Sequence, residues 1–119
     1  MSESNCLFCK IVAGDIPSEK MFETELTYAF RDINPQAEIH VLVVPRAHHE
    51  DAEELARADP KALADLVATA AAIAKQENID QSGFRMVFNT GEDAGRTVFH
   101  AHLHLLGGEQ LGMFGRYGG

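Results

Sequence analysis

The chain has 119 residues, and 10 Lys and Arg against 18 Asp and Glu leave it at −8 at pH 7. That length suits one compact domain over 1–119 and is too short for two independent cores. With 45% apolar and 24% charged residues the composition is that of a folded protein. So acidic a chain is unsuited to coating nucleic acid or an anionic membrane, which need a basic surface; a small anionic ligand is still admitted, because a site's field is set locally. The most apolar stretch, 62–74, is broken by Asp65 and Thr69 and is too short to cross a bilayer. The opening Met1-Ser2-Glu3-Ser4-Asn5 has no basic or apolar leader character, so a cytoplasmic address is expected.

Taken in order, the N-terminal segment 1–14 carries a Cys6-x-x-Cys9 pair, and Cys9 to Ala13 fits one helical turn closed by Gly14. Lys20–Thr24 and Leu26–Arg31 read as two strands with a tight connection, and Asp32-Ile33-Asn34-Pro35-Gln36 as a loop. His40–Val44 is a short β-branched strand stopped by Pro45. Glu50–Arg57 is a short acidic helix. Asp59-Pro60 then caps a longer one to about Asn78, whose apolar stripe is Leu63, Leu66, Val67, Ala70, Ile73 and Ala74. Phe84–Asn89 and Val98–Leu106 complete five strands, and 112–119 is a glycine-rich tail. The order β-β-β-α-β-β predicts an α+β fold: a mainly antiparallel five-stranded sheet, one long helix and a short N-terminal helix.

The segment Phe99-His100-Ala101-His102-Leu103-His104-Leu105-Leu106 alternates strictly between imidazoles and apolar side chains. On a strand this lines three histidines on one face and packs Ala101, Leu103 and Leu105 into the core. A solvated polar face is one reading. A tris-histidine metal site is another, weakened because same-face neighbours on one straight strand are too far apart to reach a single tetrahedral ion. The third is a nucleophilic histidine with helpers, since a neutral ring nitrogen can attack phosphorus. Just upstream, the loop 89–97 holds Gly91, Gly95, Arg96 and Thr97, which can present N–H groups, a guanidinium and a hydroxyl to an oxyanion. Feeding directly into three histidines, it reads as a phosphoryl or nucleotidyl site.

The His100-to-Leu106 run resembles the His-φ-His-φ-His-φ-φ signature of the histidine triad family. The resemblance extends over Phe8-Cys9-Lys10-Ile11, Asp32 to Ala37, His40 to Pro45 and Gly95 to Gly108, and Gly107-Gly108 is similar to the nucleotide-binding, Hint-like branch. It implies a homodimeric purine nucleoside phosphoramidase with a sheet continuous across two subunits, cleaving the P–N bond of AMP–amine conjugates through a nucleotidyl-histidine. His102 would be the nucleophile. His104, His100, Thr97 and the backbone of Gly95, Arg96 and Thr97 would hold the phosphate and manage protons, with Val98 alongside. Asp32 would take the ribose hydroxyls and Asn89 the ribose or phosphate. Phe8, Ile11, Ile16, Phe30, Ile33 and Leu42 would form the base slot, and His40 would stand behind His102. Alternatives are a dinucleoside polyphosphate hydrolase, which Gly107-Gly108 speaks against, and a regulatory module that binds nucleotide or zinc with little turnover.

The same resemblance implies a structural Zn²⁺ on Cys6, Cys9, His48 and His100, with His49 as a substitute for His48 and no metal needed for the reaction itself. A zinc-bound His100 cannot also serve as acid or base, so that work then falls on His102 and His104. Unmetallated thiols are the alternative; a thioredoxin-like redox pair would follow a strand and open a helix, and only five residues precede Cys6. Three features depart from the branch, the mildest being Thr97 in place of the serine of the animal members, which keeps the hydroxyl. Arg96 stands where glutamine is usual, placing a guanidinium beside the phosphate, and the tail lacks the tryptophan-proline ending, so leaving-group specificity is not carried over.

Overall fold

The computed structural model describes residues 5–113; residues 1–4 and 114–119, which include Phe114 and Tyr117 of the tail, lie outside it. Three helices and five strands follow in the order α1 (Leu7–Ala13), β1 (Lys20–Glu23), β2 (Thr27–Arg31), β3 (Ile39–Pro45), α2 (Ala52–Ala58), α3 (Pro60–Gln76), β4 (Phe84–Phe88) and β5 (Leu103–Gly107). The strands form one sheet in the order β1-β2-β3-β5-β4, antiparallel at every step. The fold is therefore α+β, as the element order predicts. No helix among the described residues is long and apolar enough to cross a membrane.

Local chemistry explains the helix starts. Asp51 Oδ1 accepts from Glu54 N at 2.9 Å to open α2, and Asp59 Oδ1 accepts from Ala62 N at 3.2 Å to open α3 ahead of Pro60. Cys6 caps α1, its sulfur accepting from Cys9 N at 3.4 Å, and Gly14 closes that helix in the left-handed region. This cap is why α1 runs from Leu7 rather than from Cys9.

The alternation along β3 sorts the core into two faces. Val41 and Val43 pack with Ala29, Leu103 and Leu105 beneath α3, while Leu42 and Val44 join Phe30 and the α1 residues Phe8 and Ile11 on the other side. The buried stripe of α3 is Ala62, Leu66, Thr69, Ala70, Ile73 and Ala74. Leu63 is only partly buried and Val67 is 40% exposed, so the stripe is rotated toward smaller residues than expected. Small residues let the helix lie close to the sheet. At the end of β5, a Cβ on Gly107 would meet Ile79 Cδ1 at 2.6 Å, and Gly108 turns with φ +87 against Ile39. Packing thus demands both glycines.

The largest departure from the sequence reading is β5, which begins at Leu103 rather than Val98. The His100 carbonyl is taken by the His102 ring, and Ala101 N–H donates to His49 O at 2.7 Å, so neither group is left for a strand ladder. A 3₁₀ turn at Glu92–Ala94, also not read from the sequence, precedes it.

Helix α3 is fastened to the sheet by one carboxylate. Asp65 Oδ2 accepts from the hydroxyls of Thr24 at 2.6 Å and Thr27 at 2.5 Å, and Thr27 is wholly buried. Asp65→Ala strands the Thr27 hydroxyl and is expected to cost about 2–3 kcal/mol, read as a lower urea midpoint with an unchanged slope; an unaltered midpoint would show that the link carries no stability.

Candidate functional site

The three histidines of the signature do not share one environment. His100 is wholly buried, His102 is 9% exposed and His104, the only one on a strand, is half-buried. Ala101, Leu103 and Leu105 enter the core as the alternation predicts.

His100 turns to the N-terminal segment. Its Nε2–H donates to Pro45 O at 2.9 Å, which leaves Nδ1 to face Cys6 Sγ at 3.3 Å and Cys9 Sγ at 3.4 Å. Cys9 Sγ also lies 3.3 Å from His48 Nδ1. The candidate ligand atoms of Cys6, Cys9, His48 and His100 all fall within 4.8 Å of one another. Two thiols and two imidazoles around one point suit Zn²⁺, whose tetrahedral ligand edges run roughly 3.5 Å. The Pro45 carbonyl on the far nitrogen of His100 is the outer partner that orients a ligating imidazole. His49, the substitute left open by the sequence, is directed elsewhere: its Nδ1 lies 3.4 Å from Glu54 Oε1.

His102 is set by a backbone group. A carbonyl can only accept, so the 2.8 Å contact to His100 O places the proton on Nδ1 and leaves Nε2 bare. Burial, with the Arg96 charge in support, keeps this ring below its usual pKa despite the opposing pull of the His100 carbonyl and Asp32. The ring meets Phe8 edge-on at 5.0 Å and His104 at 5.0 Å.

His40 corrects the sequence reading: it stands behind His104, not behind His102. Gln36 N–H donates to His40 Nδ1 at 2.9 Å, so His40 carries its proton on Nε2 and donates to His104 Nδ1 at 2.9 Å. His104 is thereby left with its proton on Nε2. The reason is register, since Leu42 pairs with His104 across β3 and β5 and brings the neighbouring same-face His40 alongside. Asp32 Oδ2 lies 3.5 Å from His40 Nε2, but that nitrogen is already a donor, so Asp32, His40 and His104 do not present three lone pairs to a metal.

His104, His40, Asn89 and Gln36 line a cleft of about 730 Å³ against β4. A second hollow of about 410 Å³, near Glu38, Glu77 and Glu109, contains none of the histidines. Of the expected base-slot residues, Phe8, Ile11, Phe30 and Leu42 form one buried cluster with Ile16 and Val98 at its margin. Ile33 stands apart at 91% exposure on the loop after β2. Gly95 has φ +82, and both it and Thr97 are exposed. Arg96 is turned toward the start of α2: Nη1 reaches Glu50 O at 3.4 Å and Asp51 Oδ2 at 3.7 Å, and the guanidinium lies 4.4 Å over the Phe99 ring. These contacts hold the guanidinium at the start of α2, from where its charge still acts on His102. The carbonyls of Pro45, His49 and His100 and the Gln36 N–H escaped the sequence reading, because backbone groups leave no mark in composition or spacing.

His104 has its pKa pushed down from 6.5 to about 4, chiefly by burial and then by the neighbouring His102 and His40. The unfolded chain therefore takes up this proton first, and the stability present above pH 6.5 is lost as pH falls from there toward 4. In urea unfolding across that window, His104→Gln is expected to flatten the loss relative to wild type; parallel profiles would show that His104 titrates alike in both states.

The HIT domain family profile matches residues 13–111. The chain is 40% identical over 106 residues to the purine nucleoside phosphoramidase of Escherichia coli (strain K12), covering 89% of each chain. It is also 40% identical over 114 residues to a 14 kDa zinc-binding protein of Zea mays, covering 93% of this chain and 88% of that one. Among solved structures, a histidine triad protein from Clostridium difficile superposes with a TM-score of 0.90 at 37% identity, over 97% of this chain and 100% of that one. With this fold and this arrangement of histidines, the chain belongs to the HIT, or histidine triad, domain family, in its Hint-like branch.

Proposed function

We propose that this chain hydrolyses the P–N bond of purine nucleoside phosphoramidates, with His102 as nucleophile and a nucleotidyl-histidine as intermediate. The observation that carries the reading is the 2.8 Å bond from His102 Nδ1–H to the His100 carbonyl, which leaves an unprotonated Nε2 on a ring kept neutral by burial. The 40% identity to a purine nucleoside phosphoramidase supports the same substrate class.

The reaction runs in two displacements. His102 Nε2 forms a bond to the α-phosphorus as the P–N bond breaks, and the amine leaves with a proton relayed from solvent through the Thr97 hydroxyl, which ends the step as a hydroxyl. Water then attacks the same phosphorus as the P–Nε2 bond breaks, its proton passing back to solvent through the Thr97 hydroxyl, which releases AMP and restores the bare Nε2. General acid help of this kind is typically worth ~10²–10⁴. His104 Nε2–H and the N–H groups of 95–97 donate to the phosphoryl oxygens, where charge moves in the transition state. Asp32 and Asn89 take the ribose, and the apolar cluster around Phe8 and Phe30 takes the base.

Cys6, Cys9, His48 and His100 would hold Zn²⁺, which when bound ties the N-terminal segment to the triad loop and takes no part in the displacement. A second copy would join at β4, whose residues are all half-buried and which is an edge strand of the sheet among the described residues, making the sheet continuous across a homodimer. A cytoplasmic setting would keep the two thiols reduced.

Two outcomes are expected. The wild-type chain releases AMP from adenosine 5′-phosphoramidate, and His102→Ala is slower by at least about a thousandfold; equal rates, or an inert wild type that still binds AMP, would overturn the reaction. Metal analysis of the purified chain finds one zinc per subunit, and Cys9→Ser loses it; zinc retained at full occupancy in that variant would rule out this ligand set.

A further inference from the structure

The four-residue metal cluster and the ring of His102 are joined by two links. The first runs through the backbone of a ligand residue, since the carbonyl that orients His102 belongs to His100. The second crosses from α1. Phe8 lies in sequence between Cys6 and Cys9, and its ring stands edge-on to His102 at 5.0 Å and 84° and to His100 at 6.0 Å and 74°.

These links bear on a segment that has no ladder of its own. Residues 99–102 precede β5 and belong to no strand. They are held by His100 Nε2–H on Pro45 O, by Ala101 N–H on His49 O, and by what His100 Nδ1 faces, the two thiols. The tautomer of His102 follows from where the His100 carbonyl sits, and that carbonyl is fixed by the ring to which it is attached. We propose that the centre of Cys6, Cys9, His48 and His100 is a positioning device for the nucleophile. A zinc ion on these four side chains holds the His100 ring and the start of α1. Through the His100 carbonyl and Phe8 it keeps His102 in the Nδ1–H tautomer with Nε2 bare. Phe8 is then a positioning residue as well as part of the apolar cluster. The inference rests on the reading of His102 as nucleophile, and it makes the metal centre part of the catalytic geometry and more than a staple on the N-terminus.

The test is nitrogen NMR of the full chain labelled with ¹⁵N in its histidines, loaded with zinc and then emptied by a chelator. Signals of His102 are identified by their loss in His102→Ala, and circular dichroism reports whether the emptied chain is folded. The loaded chain should show His102 as a single Nδ1–H tautomer. Emptying should turn that into a mixture of both tautomers and slow AMP release about tenfold or more, the scale on which small misplacements of a reacting group act. A folded, emptied chain with an unchanged His102 tautomer overturns the proposal. Where emptying unfolds the chain, zinc-loaded Phe8→Leu decides, because it removes one link and leaves all four ligands. A mixed His102 tautomer there supports the positioning role, and an unchanged one overturns it. A loaded chain with the single tautomer that releases no AMP defeats the phosphoramidase reading instead, while the tautomer comparison still decides the positioning.

Discussion

The wholly buried imidazole of His100 is the contact on which the arrangement of the site depends. One ring nitrogen is committed to the carbonyl that ends β3, the other to two sulfurs from the N-terminal segment, and its own carbonyl accepts from the next histidine of the signature. Three pieces of chain far apart in sequence meet at this one residue. An unpaired buried polar group costs more than a made hydrogen bond gains, so such a junction is stable only when every partner is in place. That cost makes the junction specific. Any rotation of the His100 ring breaks its bond to Pro45 and moves the thiols off its other nitrogen.

The other two histidines show the same physics with backbone donors and acceptors in place of side-chain charges. A carbonyl sets His102 to keep Nε2 bare, and an N–H, acting through His40, sets His104 to keep Nε2 protonated. Two imidazoles whose rings lie 5.0 Å apart are thus given opposite roles, acceptor and donor. Burial keeps both below their usual pKa. No carboxylate is needed to hold either ring, although Asp32 lies near enough to His40 to steady that pair. The carbonyl that sets His102 cannot titrate, so the tautomer of that ring does not depend on the charge of its partner.

The strands and helices were legible because their residues announce periodicity and caps: the β-branched run of β3, Asp59-Pro60 before α3, and the alternation of 100–106. The alternation correctly placed Ala101, Leu103 and Leu105 in the core, yet it overstated β5, because two adjacent backbone groups, the His100 carbonyl and the Ala101 N–H, bond to a side chain and to a loop. The family resemblance supplied the metal set, and the structure brings those four ligands together. It did not supply the partner of His40, which depends on register between β3 and β5 and is invisible until the two strands are paired. Arg96 shows the same limit. A guanidinium in a glycine-containing loop reads as an anion ligand, and only the fold reveals Glu50, Asp51 and Phe99 beside it.

That placement of Arg96 bears on how a chain of net charge −8 handles an anionic substrate. A free guanidinium beside the phosphate would bind substrate and product alike, which lowers KM without raising kcat and slows release of AMP. Here the Arg96 charge lies against Asp51 and the Glu50 carbonyl, and its effect on the site is to help keep His102 neutral. In the proposed reaction the phosphoryl oxygens are then met by neutral donors, the His104 Nε2–H and the N–H groups of 95–97. Such donors strengthen their bonds as charge builds on the oxygens and relax when the product leaves.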